Sequence, residues 1–312
     1  MKKIIILEGG LNEEHEVSLN TSIQVQKSLK NLNFDFDVMQ VDPKNFANKL
    51  DSIDDNVVFF NALHGTFGED GEIQKILKKR KFSFTHSNHF SSKLAFDKNL
   101  TKLSVKEINI QTPEHITTQI KNVTIELLDN FFQKFGSFVI KPITSGSSYG
   151  IKIFNSIDDI NNFFTNIEEE RNIYRDHNHI MIEKYIKGRE LTVGVFERNN
   201  ISEPLAVTEI LSKNDFYDYD AKYLEGQSKH ILPAKIPNDI YEECLMYAKS
   251  IHEKLKCKGL SRSDFIYYEK SIFFLEINTQ PGLTLTSLVP EQIKFKGINF
   301  DFFIKNILEA SL

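Results

Sequence analysis

The sequence predicts a chain of α/β and α+β type: a small doubly wound N-terminal domain, followed by lobes built on antiparallel strands. Three observations carry this. Apolar strand runs alternate with helical stretches over roughly the first 85 residues, the pattern of a parallel sheet covered by helices. In the middle, two apolar runs flank a short Gly-Ser turn in FVIKPITSGSSYGIKI, which reads as a hairpin. Near the end, FIYY-EKS-IFFLEIN reads the same way.

Taken in order, IIIL (Ile4 to Leu7) reads as a buried parallel strand that stops at Gly9-Gly10. From Ser18 the period becomes helical, with Leu19, Ile23, Val25, Leu29 and Leu32 on one broad face. FDFDV (Phe34 to Val38) alternates strictly and predicts a half-buried strand. VVFF (Val57 to Phe60) predicts another buried strand, ending in NALHG. A helix through Ile73, Ile76 and Leu77 and a short strand at FSF complete the unit. Ligands of doubly wound sheets sit at the carboxyl ends of strands, which marks Gly9-Gly10 and His64-Gly65. DKNLTKLSVKEI then reads as helix, FVIKP as strand, a stretch near Ile157 to Ile167 as helix, and HIMIEKYI (His179 to Ile186) as strand. After Gly188 come the strand ELTVGVFER, a polar aromatic loop FYDYDAKY, and a long helix from about Asp239 to Leu255. There are no repeats and no low-complexity linker.

Length and composition set bounds. At about 100–200 residues per domain, 312 residues allow two or three domains. Forty per cent hydrophobic and 26 per cent charged residues are ordinary for a soluble chain, and a net charge of −5 argues against a general nucleic-acid binder. Cys244 and Cys257 form no metal or disulfide pattern, so a reducing cytoplasm is expected. The apolar run in MKKIIILEGG is too short for a signal peptide, and no run reaches the length of a membrane span.

Candidate chemistry concentrates in two places. The final hairpin carries Asp264 on one strand and Glu276 and Asn278 on the other. Residues two apart share a face, and Asp264 can meet them across the pair. Three oxygen donors on one face suit Mg²⁺ bridging a nucleotide's phosphates, against the alternative of a solvated sheet face. The turn after Lys141 admits two readings as well: an ordinary Gly-Ser turn, or a phosphate-holding loop beside a lysine. Lys98 follows Asp97 at an expected helix start, and His64, Glu69 and Asp70 crowd the loop HGTFGEDG. Neither a Walker loop nor a GxGxxG turn is present, so any nucleotide is held by another route.

Together these residues resemble the D-alanine–D-alanine ligases of the ATP-grasp superfamily. The likeness runs in order through GGLNEEHEVSLN, NALHGTFGEDGEIQ, FDKNLTK, IKPITSGSSYG, IEKYIKGRELTVGV, FYDYDAKY, SRSDF and LEINTQPGLTLTSLVP, which span nearly the whole chain. It implies an ATP-grasp fold with an N-terminal domain over 1–95, a central lobe over 96–187 and a C-terminal lobe over 188–312, the two lobes clamping ATP. It implies that ATP phosphorylates one D-alanine and that the amine of a second displaces the phosphate. By the same likeness, Glu16 receives the first ammonium, with Ser147 and Tyr223 hydrogen-bonded to it and His64 nearby. Lys98, Lys141 and Ser148 hold phosphates, and Lys222 on a mobile lid approaches the transferred one. Glu183, Lys184, Tyr185 and Ile186 line the adenine, and Glu190 meets the ribose. Asp264, Glu276 and Asn278 hold two Mg²⁺ or Mn²⁺. Arg262 and the Gly282 N–H stabilise the oxyanion, and Ser287 and Leu288 hold the second carboxylate. Members of the family are commonly homodimers, and no interface is legible in this sequence.

Two departures stand out. The family commonly has Glu where this chain has Ser145, and Tyr149 is bulkier than the usual aliphatic residue. The resemblance also admits ligases that join D-alanine to D-lactate or D-serine, and inactive nucleotide-binding relatives. The intact AKY of the lid favours an amine acceptor, and the retained Arg262 and metal ligands favour an active enzyme.

Overall fold

The computed structural model describes residues 2–146, 149–175, 179–212 and 228–311. Its described strands form three sheets, taken up one after another along the chain.

The first unit runs β1 (Lys3–Gly9), α1 (His15–Asn31), β2 (Phe36–Val41), α2 (Phe46–Lys49), β3 (Val57–Asn61), α3 (Glu72–Lys79) and β4 (Ser83–Phe84), in the parallel order β2-β1-β3-β4. The apolar run of β1 is continuous because both its faces are covered. Ile4 and Ile6 pack with Val25 and Leu29 of α1, while Ile5 and Leu7 pack with Phe46, Ile73 and Leu77 of α2 and α3. Helix α1 begins at His15, ahead of the expected Ser18, and Val17 is already buried. Strand β2 lies at the edge, which explains its half-exposed pattern.

The second unit runs α4 (His89–Phe96), α5 (Lys98–Lys106), β5 (His115–Gln119), α6 (Ile125–Phe135), β6 (Phe138–Pro142), β7 (Lys152–Phe154), α7 (Ile157–Thr165), α8 (Ile167–Ile173) and β8 (His179–Lys184). Its sheet has the order β5-β8-β6-β7 and is antiparallel. The hairpin expected at FVIKP is β6–β7, with Ile140 opposite Lys152. Phe138, Ile140, Ile180 and Ile182 pack with Phe131 of α6 and Phe163 of α7. Strand alternation therefore sends Lys141 and Glu183 to the opposite face.

The third unit runs β9 (Arg189–Arg198), β10 (Ile201–Ser212), β11 (Ser228–Ile231), α9 (Asn238–Lys254), β12 (Leu260–Tyr268), β13 (Ser271–Asn278), α10 (Leu288–Phe295) and α11 (Phe300–Glu309). Its sheet has the order β11-β10-β9-β12-β13. One face packs Leu191, Val193, Phe265 and Phe274 with Cys244, Ala248 and Ile251 of α9, and also with Val105 of α5. The other packs Phe196 and Leu260 with Ile293, Phe303 and Ile304 of α10 and α11, and also with Ile4 and Val25. Packing thus crosses the borders expected near residues 95 and 187: α5 enters the core of the last sheet, and α11 closes the core of the first. Helices α4, α6, α10 and α11 add to the elements expected from periodicity.

Both cysteines are free and buried, and burial pushes each thiol up to about 12, so they behave as small apolar side chains. Among the described residues no helix is long and apolar enough to cross a membrane.

His86 is fully buried at the end of the first sheet, beside Phe60, with Nδ1 2.9 Å from the Thr85 hydroxyl. Burial, with His64 adding to it, lowers its pKa to about 3. The ring stays neutral in the fold, whereas the unfolded chain takes a proton below about pH 6.5. Stability from this group is therefore full above pH 6.5 and falls as pH drops toward 3. Between pH 6.5 and 5 the loss is about 2 kcal/mol. Thermal melts across that range should show a flatter pH slope for His86→Gln than for the wild type; equal slopes would exclude His86 as a cause of acid sensitivity.

Candidate active site

The carboxyl ends of β1 and β3 meet the face of β12 and β13, as expected for ligand sites in such folds. In the last hairpin Asp264 stands opposite Glu276 and Arg262 opposite Asn278. The register slips between Asp264 and Phe265, leaving Leu275 as an extra residue. This bulge lets both Phe274 and Ile277 reach the core while Glu276 stays on the face of Asp264. Asp264 is 7% exposed, and both its oxygens accept from Arg262, at 3.0 and 2.8 Å. Thr192 on β9 donates a further hydrogen bond at 2.6 Å.

A cavity of about 80 Å³ opens on this face. Arg262, Glu276 and Asn278 form one wall, Gly282, Ser287 and Leu288 another, and Lys98, Ser145 and Gly146 a third. Asp97 caps α5 by accepting from the Leu100 N–H, which sets Lys98 at the first helical position. Its ammonium donates to the Ser145 carbonyl at 2.8 Å and lies 3.3 Å from Glu276. The Ser145 departure therefore leaves a backbone contact to Lys98 in place.

The remaining wall comes from the N-terminal unit and corrects one expectation. Glu16, assigned above to the first ammonium, is an exposed residue of α1 and does not line the cavity. Glu14 lines it instead and is 3% exposed. The reason lies in the turn before α1. The Glu14 N–H donates to the Asn12 side chain, and the Asn12 amide donates to the carbonyls of His64 and Thr66, each at 2.9 Å. That turns Glu14 inward, and two residues later Glu16 points to solvent. A Cβ on Gly146 would come within 2.6 Å of the Glu14 carboxylate, so a side chain there would have to displace that carboxylate.

His64 is buried between Thr21, 2.9 Å from Nε2, and Glu69, 3.3 Å from Nδ1. The Asn278 amide reaches the same Glu69 oxygen at 3.4 Å. Behind it the Asn61 amide donates to Gln280 at 2.8 Å, and the Gln280 amide donates to the Leu63 carbonyl. The Leu283 N–H donates to the Thr21 hydroxyl. The Ser287 hydroxyl accepts from the Thr284 N–H at 3.1 Å and lies 2.7 Å from the Thr284 hydroxyl, just ahead of α10.

Lys141 is 7% exposed and donates to Glu183 at 2.5 Å. Lys102, fully buried, lies 2.7 Å from the other Glu183 oxygen. Burial pushes the Glu183 carboxyl up, but the two lysines pull harder and hold it below the usual range. The Glu183 side chain is thus committed to lysines. A second cavity, of about 880 Å³, is lined by Lys184, Tyr185 and Ile186 among others. The backbone there is tied by the Lys184 N–H to Glu114 and the Tyr185 N–H to Ser137. Glu190, opposite Ile266, lines neither of these two cavities. Ser147, Ser148, Lys222 and Tyr223, with the whole loop FYDYDAKY, lie outside the described residues.

Among the described residues no group of three or more His, Cys, Asp or Glu side chains is placed to hold a metal. Asp264 and Glu276 supply two carboxylates on one face, and Asn278 completes an oxygen-rich set of the kind hard divalent cations take. Glu14, Thr21, Asn61, Lys102 and Gln280 were not singled out by sequence reasoning. Glu14 sits in the quoted EEHE and Gln280 in NTQPGLT, but nothing in a string of residues separates them from their neighbours.

A family model described as D-ala D-ala ligase C-terminus matches residues 102–309. The D-alanine–D-alanine ligase of Wolbachia pipientis wMel is 40% identical over 312 residues, covering 99% of this chain and 94% of that one. The enzyme of the same name from Pelagibacter ubique is 38% identical over 311 residues, covering 99% and 97%. The crystal structure of a D-alanine–D-alanine ligase from Bacillus anthracis complexed with ATP superposes with a TM-score of 0.80 at 27% identity, covering 99% of this chain and 96% of that one.

Gln280 is 3% exposed and bridges two units, so its loss should cost more than a surface change. Gln280→Leu leaves the Asn61 amide and the Leu63 carbonyl buried without this partner. A loss of about 2–3 kcal/mol is expected, read as a lower urea midpoint at unchanged slope. An unchanged midpoint would show that the bridge contributes nothing.

Proposed function

The chain belongs to the D-alanine–D-alanine ligase family, and from that premise we propose how its own residues carry the reaction. It is an ADP-forming ligase with the ATP-grasp fold, joining two D-alanines for peptidoglycan precursors. The observation that carries the residue assignment is the meeting of Glu14, Lys98, Arg262 and Glu276 around one cavity.

Glu14, rather than Glu16, receives the ammonium of the first D-alanine, because it is the buried carboxylate that lines the cavity, packed beside Gly65 and Gly146. His64, held by Thr21 and Glu69, forms the adjoining wall. The carboxylate of this first substrate attacks the γ-phosphorus of ATP, ADP leaves, and an acyl phosphate forms. Lys98 and Lys141 hold the phosphates. The amine of the second D-alanine then attacks the acyl carbon, loses a proton and expels inorganic phosphate. Arg262, steadied by Asp264, and the Gly282 N–H donate to the oxygen that gains charge in that step. Ser287 and the N–H groups at the start of α10 take the second carboxylate, as a helix N-terminus favours an anion. Lys184 to Ile186 border the adenine through their backbone, with Glu190 toward the ribose.

Asp264, Glu276 and Asn278 fit two Mg²⁺ or Mn²⁺ as oxygen donors. When bound, such ions would neutralise the charge of the transferring phosphate. Lys222, Tyr223, Ser147 and Ser148 keep the roles the resemblance implies. The reading places the enzyme in the cytoplasm, without nucleic acid or membrane as partner, and is compatible with a homodimer.

Phosphate release with ATP and Mg²⁺ should follow D-alanine and not L-alanine; equal turnover of the two would overturn the reading. Glu14→Gln should raise the KM for the first D-alanine about tenfold or more, since a charged hydrogen bond is lost, while Glu16→Gln stays within about twofold. The opposite ranking would restore Glu16. Glu276→Gln should raise the Mg²⁺ needed for half-maximal rate by about tenfold or more. A Mg²⁺ titration superposing on the wild type would remove Glu276 from the metal set.

A further inference from the structure

Lys102 has no place in the mechanism above, yet it is among the largest fully buried side chains of the protein. It sits on α5, one turn after Lys98, where the helix packs on β13. A fully buried lysine is costly, and an apolar residue would fill such a helix position more simply. Its ammonium is held by two residues, Glu183 and Phe274. The Glu183 carboxylate is 2.7 Å away, a contact that is short but not aligned as a hydrogen bond. The Phe274 carbonyl accepts at 3.2 Å, and the Phe274 ring lies 6.0 Å off. Glu183 is shared with Lys141, which binds its other oxygen. The next carboxylate, Glu276, is engaged by Lys98.

The arrangement holds two ammoniums against one carboxylate in a buried site. We propose that Lys102 is a positioning residue: by sharing Glu183 it prevents that carboxylate from neutralising Lys141, and so keeps one net positive charge available to the nucleotide phosphates. The inference rests on the reading that Lys141 binds phosphate. Burial lowers the Lys102 pKa to about 8, with Glu183 opposing, so the group stays largely charged at neutral pH. Without Lys102, Lys141 and Glu183 become an isolated neutral pair, and ATP must compete with a buried carboxylate for the lysine. Removing both Lys102 and Glu183 returns the cluster to a net charge of +1, carried by Lys141 alone.

That loss and return of charge supplies the test. Steady-state KM values for ATP and D-alanine, with fluorescent-nucleotide binding as a second readout, are compared for wild type, Lys141→Ala, Lys102→Met and Lys102→Met/Glu183→Gln. Lys102→Met should raise the KM for ATP about tenfold and leave that for D-alanine within about twofold, because the charge lost is at the phosphate side. The double variant should return the KM for ATP to within about threefold of wild type. A merely structural lysine predicts the reverse, with two buried changes worse than one. A folded Lys102→Met with unchanged KM for ATP, or a double variant no better than the single, overturns the proposal. Should Lys102→Met not fold, the double variant decides alone: wild-type affinity for ATP supports the sharing, and a tenfold loss refutes it. If Lys141→Ala leaves the KM for ATP unchanged, the phosphate role of Lys141 falls and the proposal with it. A clear Lys141→Ala effect beside a silent Lys102→Met overturns the sharing alone.

Discussion

A buried amide pair, Asn61 with Gln280, ties the end of the first sheet to the end of the last hairpin. Much of the site depends on that tie. On one side of it stand His64, Glu69 and, through Asn12, Glu14. On the other stand Asn278, Gly282 and Ser287. The two sets come from opposite ends of the chain, and neither forms a cavity alone. Amides suit this junction because each can donate and accept: Asn61 gives to Gln280, and Gln280 gives to Leu63 and takes from Asn61. Buried polar groups that satisfy one another specify a register that apolar contact alone would leave loose.

The shared cores reinforce the same closure. Ile4 and Val25 pack with Phe303 and Ile304, so the last helix completes the first domain's core. Val105 packs with Phe265 and Phe274, so the helix that carries Lys98 and Lys102 is anchored on the last sheet rather than on the central one. Both lysines consequently keep a fixed relation to Glu276 and to β13. The central sheet contributes Lys141 and Glu183 from the face opposite its own core. Buried positive charge is thus assembled from two units, with Glu183 as the common counter-ion.

The electrostatics differ between the last hairpin and the central sheet. Near Arg262 and Asp264 the charges are paired within one strand and held by Thr192. Near Lys141 the cations outnumber the carboxylate that they share. The first arrangement fixes the orientation of a guanidinium, and the second leaves a net positive charge beside the central sheet.

Eight ordered motifs in the sequence were enough to name the family, because backbone turns, metal ligands and phosphate lysines demand particular residue types at particular spacings. Periodicity located β1, β3, β6, α9 and the β12–β13 hairpin, since local burial imposes a period on each. Which of Glu14 and Glu16 faces the cavity is set only by tertiary structure: one stands just ahead of α1 and the other in its first turn, and the hydrogen bonds from Asn12 to His64 and Thr66 select the one that faces inward. The same holds for Lys102, which reads as one more helical lysine until α5 docks on β13 and brings it to Glu183. The physical reason is common to both. A side chain's period along an element is a local property, but its partner lies 52 residues away for Asn12 and His64, and further for Lys102 and Phe274, and only the folded chain brings such pairs together.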